Sequence, residues 1–199
     1  TAPRAPSRTK LASRPGLSTY GQVVTFTATV TTRPASPNGT VTFMDGATAI
    51  SPNVPLAGGR AIFTTAALTP GTHNITAAYS GNAAFNGSTS PVLHQLVRKP
   101  ATSTAITSSL NPSQIGNAVT FTATVTTATL GLGTPTGNII FKDGSKTVLG
   151  TVALDGAGQA TFTTAALSAG RHLITAYYAG DANFSISSGR LIQRVNKVP

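Results

Sequence analysis

The chain has 199 residues, with 14 basic residues against four acids, all aspartate, for a formal net charge of +10. It contains no cysteine, which excludes disulfides and thiolate metal sites. It also lacks an apolar run near the ~18 residues that a membrane-spanning helix needs, so no membrane insertion by helix is expected. The length fits two domains of ordinary size, and the deficit of acids raises affinity for polyanions in general.

Residues 1–8 read as a basic, proline-rich leader, and four bases (Arg4, Arg8, Lys10, Arg14) crowd the first 14 positions. A first strand starts at Thr9-Lys-Leu11. The segment Val24-Thr-Phe-Thr-Ala-Thr-Val-Thr-Thr32 then alternates apolar residues with threonine at period two, so one face should be buried and one wet. Its core residues are expected to be Val24, Phe26, Ala28 and Val30. Next comes Gly39-Thr-Val-Thr-Phe-Met-Asp-Gly46, where Val41 and Phe43 face inward and Asp-Gly marks a tight hairpin turn. Phe63-Thr-Thr-Ala-Ala-Leu68, His73-Asn-Ile-Thr-Ala-Ala-Tyr79 and residues 92–97 supply the remaining strands.

The same order then repeats. Val119 to Thr127 reproduces Val24 to Thr32 letter for letter at a spacing of 95 residues. Gly137-Asn-Ile-Ile-Phe-Lys-Asp-Gly144, Phe162-Thr-Thr-Ala-Ala-Leu167 and His172-Leu-Ile-Thr-Ala-Tyr-Tyr178 follow in register, with 191–195 last. The copies differ most in the loop after the duplicated strand, 33–38 in the first and 128–136 in the second. Two tandem modules are therefore expected at 9–97 and 104–196, joined by a linker at 98–103. Short strands at regular spacing with turn residues between them argue for all-β sandwiches. The chain starts at Thr1 without Met, and its end, Val195-Asn-Lys-Val-Pro199, looks like the join beginning again. We therefore expect a processed protein or a fragment that was cut from, or ends, a longer array.

The chain resembles the bacterial Ig-like domain repeats of the group 3 type. The residues that carry the resemblance are Val-Thr-Phe-Thr-Ala-Thr-Val (24–30, 119–125), Gly-x-[Val/Ile]-x-Phe-x-Asp-Gly (39–46, 137–144) and two Tyr-x-Gly-[Asp/Asn]-x-x-Phe stretches (79–85, 178–184). The resemblance implies two tandem seven-stranded Ig-like β-sandwiches in an exported, multi-domain bacterial protein, of the kind that serves as stalk or adhesive module. It implies no catalytic residues and no cofactor. Asn82 stands where the second copy has Asp181, which points to a turn role that both residues can fill.

Tests for chemistry are negative at the level of sequence. His73 and His172 hold one position in two domains and do not converge, and His94 has no partner copy; a structural role is expected for them. The first copy holds one acid, Asp45, so a paired-carboxylate centre does not fit within it. Calcium at the join would meet Arg98 and Lys99, leaving only an isolated weak site near Asp181 to consider. No Glu is present to support a Lys–Asn isopeptide bond, and the serines lack a nucleophile elbow. The aromatics fall mostly on inward positions, so nucleic-acid stacking platforms are not expected, and the absence of Trp weakens carbohydrate binding by an aromatic face. Tyr79 and Tyr178 sit where a hydroxyl could cap the backbone as in a tyrosine corner.

The leading functional reading is a non-enzymatic structural or spacer module of an extracellular or cell-surface bacterial protein, fibre or adhesin. Its partners would be other domains of the same array or copies of itself, with β-augmentation at a Thr-rich edge as one route. The alternative is decoration of an anionic surface, such as a cell-wall polymer, lipopolysaccharide or a virion shell, through Arg4, Arg8, Lys10, Arg14, Arg98 and Lys99. A third reading is an accessory domain of a larger secreted hydrolase. Because the scaffold repeats and the 128–136 loop does not, Leu130, Leu132 and Thr134 are the candidate interaction loop.

Overall fold

The first strand, β1 (Ser7–Arg14), alternates inward and exposed residues along its length, which is the behaviour of a strand with one face on a core. The computed structural model describes residues 3–33, 36–128 and 131–198, and the chain divides into two units, Thr1–Arg98 and Lys99–Pro199. Unit 1 continues through β2 (Leu17–Thr19), β3 (Val24–Thr32), β4 (Thr40–Asp45), β5 (Thr48–Pro55), β6 (Arg60–Thr65), β7 (Gly71–Tyr79), β8 (Ser88–Thr89) and β9 (Leu93–Arg98). Its strands form a small sheet, β1-β3-β6, and a larger one, β2-β9-β7-β4-β5, with β8 added to β7. Val24, Phe26, Ala28 and Val30 of β3 meet Val41 and Phe43 of β4 and Ile75, Ala77 and Tyr79 of β7 in one buried cluster. Phe63 stacks on Phe26 at 6.3 Å and tilts against Phe43 at 5.7 Å, so it joins the two sheets.

Unit 2 repeats this plan in β10 (Thr102–Ser108), β11 (Ser113–Gln114), β12 (Val119–Thr127), β13 (Asn138–Asp143), β14 (Thr147–Ala153), β15 (Gln159–Thr164), β16 (Gly170–Tyr178) and β17 (Ser187–Asn196). The sheets are β10-β12-β15 and β11-β17-β16-β13-β14. Val119, Phe121, Ala123 and Val125 take the places of their counterparts, facing Ile139, Phe141, Ile174, Ala176 and Tyr178. Both expected Asp-Gly hairpins are present. Asp45 pairs with Thr48 across a two-residue turn, and Asp143 pairs with Thr147 across a three-residue one.

Each sandwich has seven principal strands, and the structure refines how they are built. The first strand of each unit is broken in two. β1 lies on the small sheet, whereas β2 crosses to the large sheet and runs parallel to β9, with Leu17 opposite Leu96. β10 and β11 divide in the same way. The last strand is also interrupted in unit 1, where Pro91 stands between β8 and β9, because proline offers no N–H to the ladder. In unit 2 Arg190 occupies the ladder opposite Thr175, and β17 runs through without a break.

The leader and the linker differ from the sequence reading as well. Ser7 and Arg8 already pair with Thr32 and Thr31 of β3, and Ala5 exchanges main-chain hydrogen bonds with Ala84 and Asn86. Only Lys99, Pro100 and Ala101 separate β9 from β10. The Pro100 carbonyl accepts from Ser185 N–H and the Lys99 carbonyl from Ser185 Oγ, so these residues are held by unit 2. Proline-rich composition suggested an extended linker, but extended backbone beside a sheet edge is readily captured as part of the domain.

A buried glutamine ties each broken strand to the large sheet. Gln95 and Gln193 are both 0% exposed. The Gln193 amide donates to the Leu110 carbonyl at 2.7 Å and to Ser113 Oγ at 3.2 Å, and its Oε1 accepts from Ser108 Oγ at 2.7 Å. Gln95 Nε2 donates to the Pro15 carbonyl and Ser18 Oγ at 3.2 and 3.3 Å, while its Oε1 accepts no hydrogen bond among the described residues. Replacing Gln193 with Leu removes its hydrogen bonds to the Leu110 and Arg194 carbonyls and to the Ser108 and Ser113 hydroxyls, of which Ser108 can still donate to Leu110, and should destabilise unit 2 by about 2–4 kcal/mol. Gln95→Leu should cost unit 1 less, because one of its polar atoms is already unpaired. Denaturant unfolding followed by amide exchange in each unit checks this, and equal losses would contradict it.

Candidate functional site

The outward face of β1-β3-β6 is where the sequence-expected bases come together. On β1 the exposed residues are Arg8, Lys10, Ala12 and Arg14, and register sets them beside Thr31, Thr29, Thr27 and Thr25 of β3. Side chains two residues apart on a strand share a face and stand about 6.8 Å apart along it. Across β3, Thr29 is opposite Arg60 and Thr27 opposite Ile62. The face is thus a row of threonines flanked by Arg8, Lys10 and Arg14 on one side and Arg60 on the other. Two shallow depressions mark it, one lined by Arg14, Thr25, Thr27, Thr29 and Arg60 and the other by Arg8, Thr31 and Arg33. Among the described residues none of these cations meets a carboxylate, since Asp45 is the one acid of unit 1 and is bonded to His73.

Arg60 was missed by sequence reading. Composition shows a lone base 46 positions after Arg14; only the pairing of β3 with both β1 and β6 makes them neighbours. In the structure Phe26 pairs with Phe63 across β3 and β6, and that register sets Arg60 opposite Thr29. Arg98 ends β9 on the other sheet, opposite Thr19. Lys99 belongs to unit 2, where its ammonium donates to the Asp181 carbonyl. Arg4 precedes β1, its carbonyl accepting from the Asn86 amide at 3.3 Å. Arg98 and Lys99 are therefore not part of the β1-β3-β6 face. In the candidate loop, Leu130 lies outside the described residues, Leu132 packs against the core of unit 2 and Thr134 is exposed. Leu132 is thus partly buried against its own domain, which leaves part of its surface in water.

Unit 2 presents a different surface at the same register. Ser103, Ala105 and Thr107 stand where unit 1 has Arg8, Lys10 and Ala12, and Gln159 stands in the place of Arg60. The bases divide evenly, seven to each unit, so the contrast is one of placement. In unit 2 Arg171 pairs with Arg194 and Thr175 with Arg190 on the β16-β17 ladder, and Lys142 lies 5.4 Å from the Tyr177 ring centroid.

The histidines and hairpin aspartates, read separately in the sequence, form one ion pair per unit. His73 Nδ1 lies 2.5 Å from Asp45 Oδ2, and His172 Nδ1 lies 2.6 Å from Asp143 Oδ2. Nε2 of each ring lies 2.8 Å from a main-chain carbonyl, that of Thr69 or Ser168. A carbonyl and a carboxylate can only accept, so both ring nitrogens must donate and the imidazole is held as the cation. Burial alone would lower the proton affinity of His73. The Thr69 carbonyl and Asp45 carboxylate outweigh it and hold the ring above the ordinary histidine value. Burial likewise opposes the charge on His172, and Asp143 with the Ser168 carbonyl overcomes it. Asp45 Oδ1 also accepts from Asn74 N–H at 3.1 Å, which fastens the hairpin end to β7.

The Tyr-x-Gly-[Asp/Asn]-x-x-Phe stretches are structural clamps. Gly81 and Gly180 have φ of +75° and +78°, and a Cβ there would stand 2.8 Å from the Phe85 carbonyl oxygen or 2.9 Å from that of Phe184. Asp181 Oδ1 accepts from the Asn183 and Phe184 N–H groups at 2.8 and 2.7 Å, and Oδ2 from Thr136 N–H and hydroxyl, both at 2.8 Å. These four donors leave the carboxylate fully engaged in pinning the end of the 128–136 loop. Burial pushes its proton affinity up, and the donors from Thr136, Asn183 and Phe184 more than reverse this, holding Asp181 below the usual aspartate range. Asn82 does the same in unit 1 without charge, accepting from Ala84 and Phe85 N–H and donating to Asn38. The Tyr79 hydroxyl donates to the Asn38 carbonyl at 2.7 Å, the backbone cap expected of it. The Tyr178 hydroxyl makes no such backbone bond; burial pushes it well above the usual phenol range, and the nearby Asp181 charge adds to this.

Two pH dependences follow. A raised histidine pKa stabilises each unit fully below the unfolded value of about 6.5 and loses that contribution as pH rises through the folded value. Melting temperature should therefore fall as pH rises above about 6.5, and His73→Ala with His172→Ala should flatten the profile while removing about 1–2 kcal/mol per unit at pH 6. A lowered aspartate pKa works in the opposite sense: its stabilisation is complete above about pH 4 and lost as pH falls through the folded value. Below pH 4 unit 2 should thus weaken more than unit 1, whose Asn82 does not titrate. Susceptibility to pepsin, mapped by the peptides released, reads this difference, and preferential cleavage of unit 1 would contradict it.

The family profile of the bacterial Ig-like domain (group 3) matches residues 11–98 and again 106–196. No curated protein matches the chain. Among solved structures, the chain is similar to the adhesin InvE of Yersinia pseudotuberculosis, at 17% identity over 93% of this chain and 58% of that chain, with a TM-score of 0.48. It is also similar to the fibronectin(III)-like modules of Clostridium thermocellum CbhA, at 19% identity over 93% of this chain and 94% of that one, with a TM-score of 0.34. A bacterial ice-binding adhesin aligns at 12% identity over 98% of this chain and 67% of the other, with a TM-score of 0.37. With both modules matched and nearly the whole length covered, the chain belongs to the bacterial Ig-like domain (group 3) family, as two tandem copies.

Proposed function

We propose that this chain is a non-enzymatic structural module of an exported bacterial surface protein, two sandwiches in series that carry contact faces for other domains of the array or for copies of the chain. The observation that carries this reading is the division between what repeats and what does not. The inward residues of β3 and β12, the buried glutamines, the Asp–His pairs and the Gly-Asx clamps recur in both units. The outward rows change from basic to neutral at fixed register. A catalytic module would be expected to keep a reactive constellation on its surface. Here both oxygens of Asp45 and of Asp181 are engaged in local hydrogen bonds, which supports a structural use for them.

Spacing within a stalk or fibre is the finer role that this reading favours, with the module serving by repetition as tandem sandwiches do. Surface display is the testable part. Antibodies raised against the chain should label intact cells of the producing bacterium, and a protease added outside should remove the signal without lysis. Labelling that appears only after lysis would overturn the reading.

A further inference from the structure

We infer that the outward face of β1-β3-β6 in unit 1 binds a linear anionic polysaccharide, with Arg8, Lys10, Arg14 and Arg60 taking its carboxylate or sulfate groups and the threonines of β3 its hydroxyls. The inference rests on the reading of the chain as a surface module and names the partner of one of its faces.

Three observations carry it. First, the cations are ordered. Arg8, Lys10 and Arg14 project from one face of a single strand, with Ala12 between the last two, and Arg60 stands two strands away across Thr29. A flat sheet whose strand-borne bases stand one and then two face repeats of about 6.8 Å apart fits an extended chain with repeated charges better than a compact anion. Arginine supplies a planar fork that holds carboxylate or sulfate with two parallel hydrogen bonds. Secondly, no acid of unit 1 neutralises the face, because Asp45 sits at the β4–β5 hairpin bound to His73. Burial is not the source of this arrangement either: the four bases are exposed, so folding does not require them. At the same register unit 2 keeps the fold with Ser103, Ala105 and Gln159. Thirdly, the central row is hydroxyl-bearing and the face carries no aromatic ring, its outward residues being Arg8, Lys10, Ala12 and Arg14, then Thr25 to Thr31, then Arg60, Ile62 and Thr64. Threonine hydroxyls both donate and accept, as sugar hydroxyls require. Single-stranded nucleic acid would instead call for stacking platforms among the bases, and that favours the polysaccharide.

The test uses the full chain with polygalacturonate and heparin as probes and a single-stranded oligonucleotide of matched charge as contrast, by calorimetry at low salt. Arg8→Ser, Lys10→Ala, Arg14→Ser and Arg60→Gln together convert the face to residues that unit 2 carries at the same register. This variant should keep its melting temperature and lose at least about tenfold in affinity for the acidic polysaccharides, with a shallower dependence of affinity on salt. Should it melt early, the pair Lys10→Ala and Arg60→Gln gives the same readout with less change. Neutralising the unit 2 bases by Arg171→Gln, Arg190→Gln and Arg194→Gln should leave most of the affinity in place. Grafting Ser103→Arg, Ala105→Lys and Gln159→Arg onto the neutralised chain should restore part of it. Unchanged affinity in the four-residue variant, or loss confined to the unit 2 variant, would overturn the assignment to this face. Tighter binding of the oligonucleotide than of either polysaccharide would overturn the assignment of partner. Both results are independent of where the protein is displayed, so they are distinguishable from a failure of surface labelling.

Discussion

One strand carries both the scaffold and the candidate site. β3 is the middle strand of the small sheet, hydrogen-bonded on both edges, and its side chains alternate strictly between core and solvent. Inward, Val24, Phe26, Ala28 and Val30 close the sandwich against the large sheet. Outward, Thr25, Thr27, Thr29 and Thr31 make the floor between the β1 bases and Arg60. A shift of one residue in register would send the phenylalanine and valines into water and the threonines into the core. Register here is therefore fixed by the core, and the spacing of the bases on β1 and β6 is fixed with it. The face is as well ordered as the hydrophobic cluster beneath it, although it contributes little to that cluster's stability.

The polar interactions inside the units stabilise the points where the chain changes sheet or turns. Each buried glutamine joins a strand that has crossed from one sheet to the other, and each Asp–His pair joins the end of a hairpin to the adjacent strand. Both features appear where the chain leaves regular pairing and main-chain groups would otherwise lack partners. The Gly-Asx clamps do the same for the turn after β7 and β16, where a left-handed glycine is followed by a side chain that accepts the next free N–H groups. That asparagine serves in one unit and aspartate in the other shows that the turn needs an acceptor at this position and not a charge. The charge adds an acid-sensitive component to unit 2 alone.

What the sequence made legible follows from this division. Alternation identified the inward residues of β3 and β12, and Asp-Gly identified both hairpins, because those signals are local. The partnership of Asp45 with His73 was not legible, since it depends on β4 and β7 being neighbours although the two residues are 28 positions apart in the chain. Arg60 was missed for the same reason: a period-two pattern says which side a residue faces but not which strand lies beside it. Gln95 and Gln193 carry no local signal, and only the parallel pairing of β2 and β11 shows why an amide is needed in a core. The leader and linker were read from proline content, which reports backbone extension and is silent on whether an edge captures the extended segment.

The comparison of the two units is itself an argument about use. At matched positions they hold the same β3 and β12 sequence and the same inward contacts, yet Arg8, Lys10 and Arg60 of unit 1 correspond to Ser103, Ala105 and Gln159 of unit 2. Exposed substitutions of this kind change stability little, so the fold leaves these positions open to vary. Random loss and gain of bases would scatter them over both sheets of a unit. In unit 1, instead, four of the seven share one face, three on the outward side of β1 and one across the same threonine row. The bases of unit 2 gather on the other sheet, where Arg171 faces Arg194 and Arg190 lies further along β17. A shared scaffold with charge assembled on different faces is what two modules would show if each met a different part of its surroundings. The repeat, on this reading, supplies a rigid frame twice, and the differences between copies say where each frame is used.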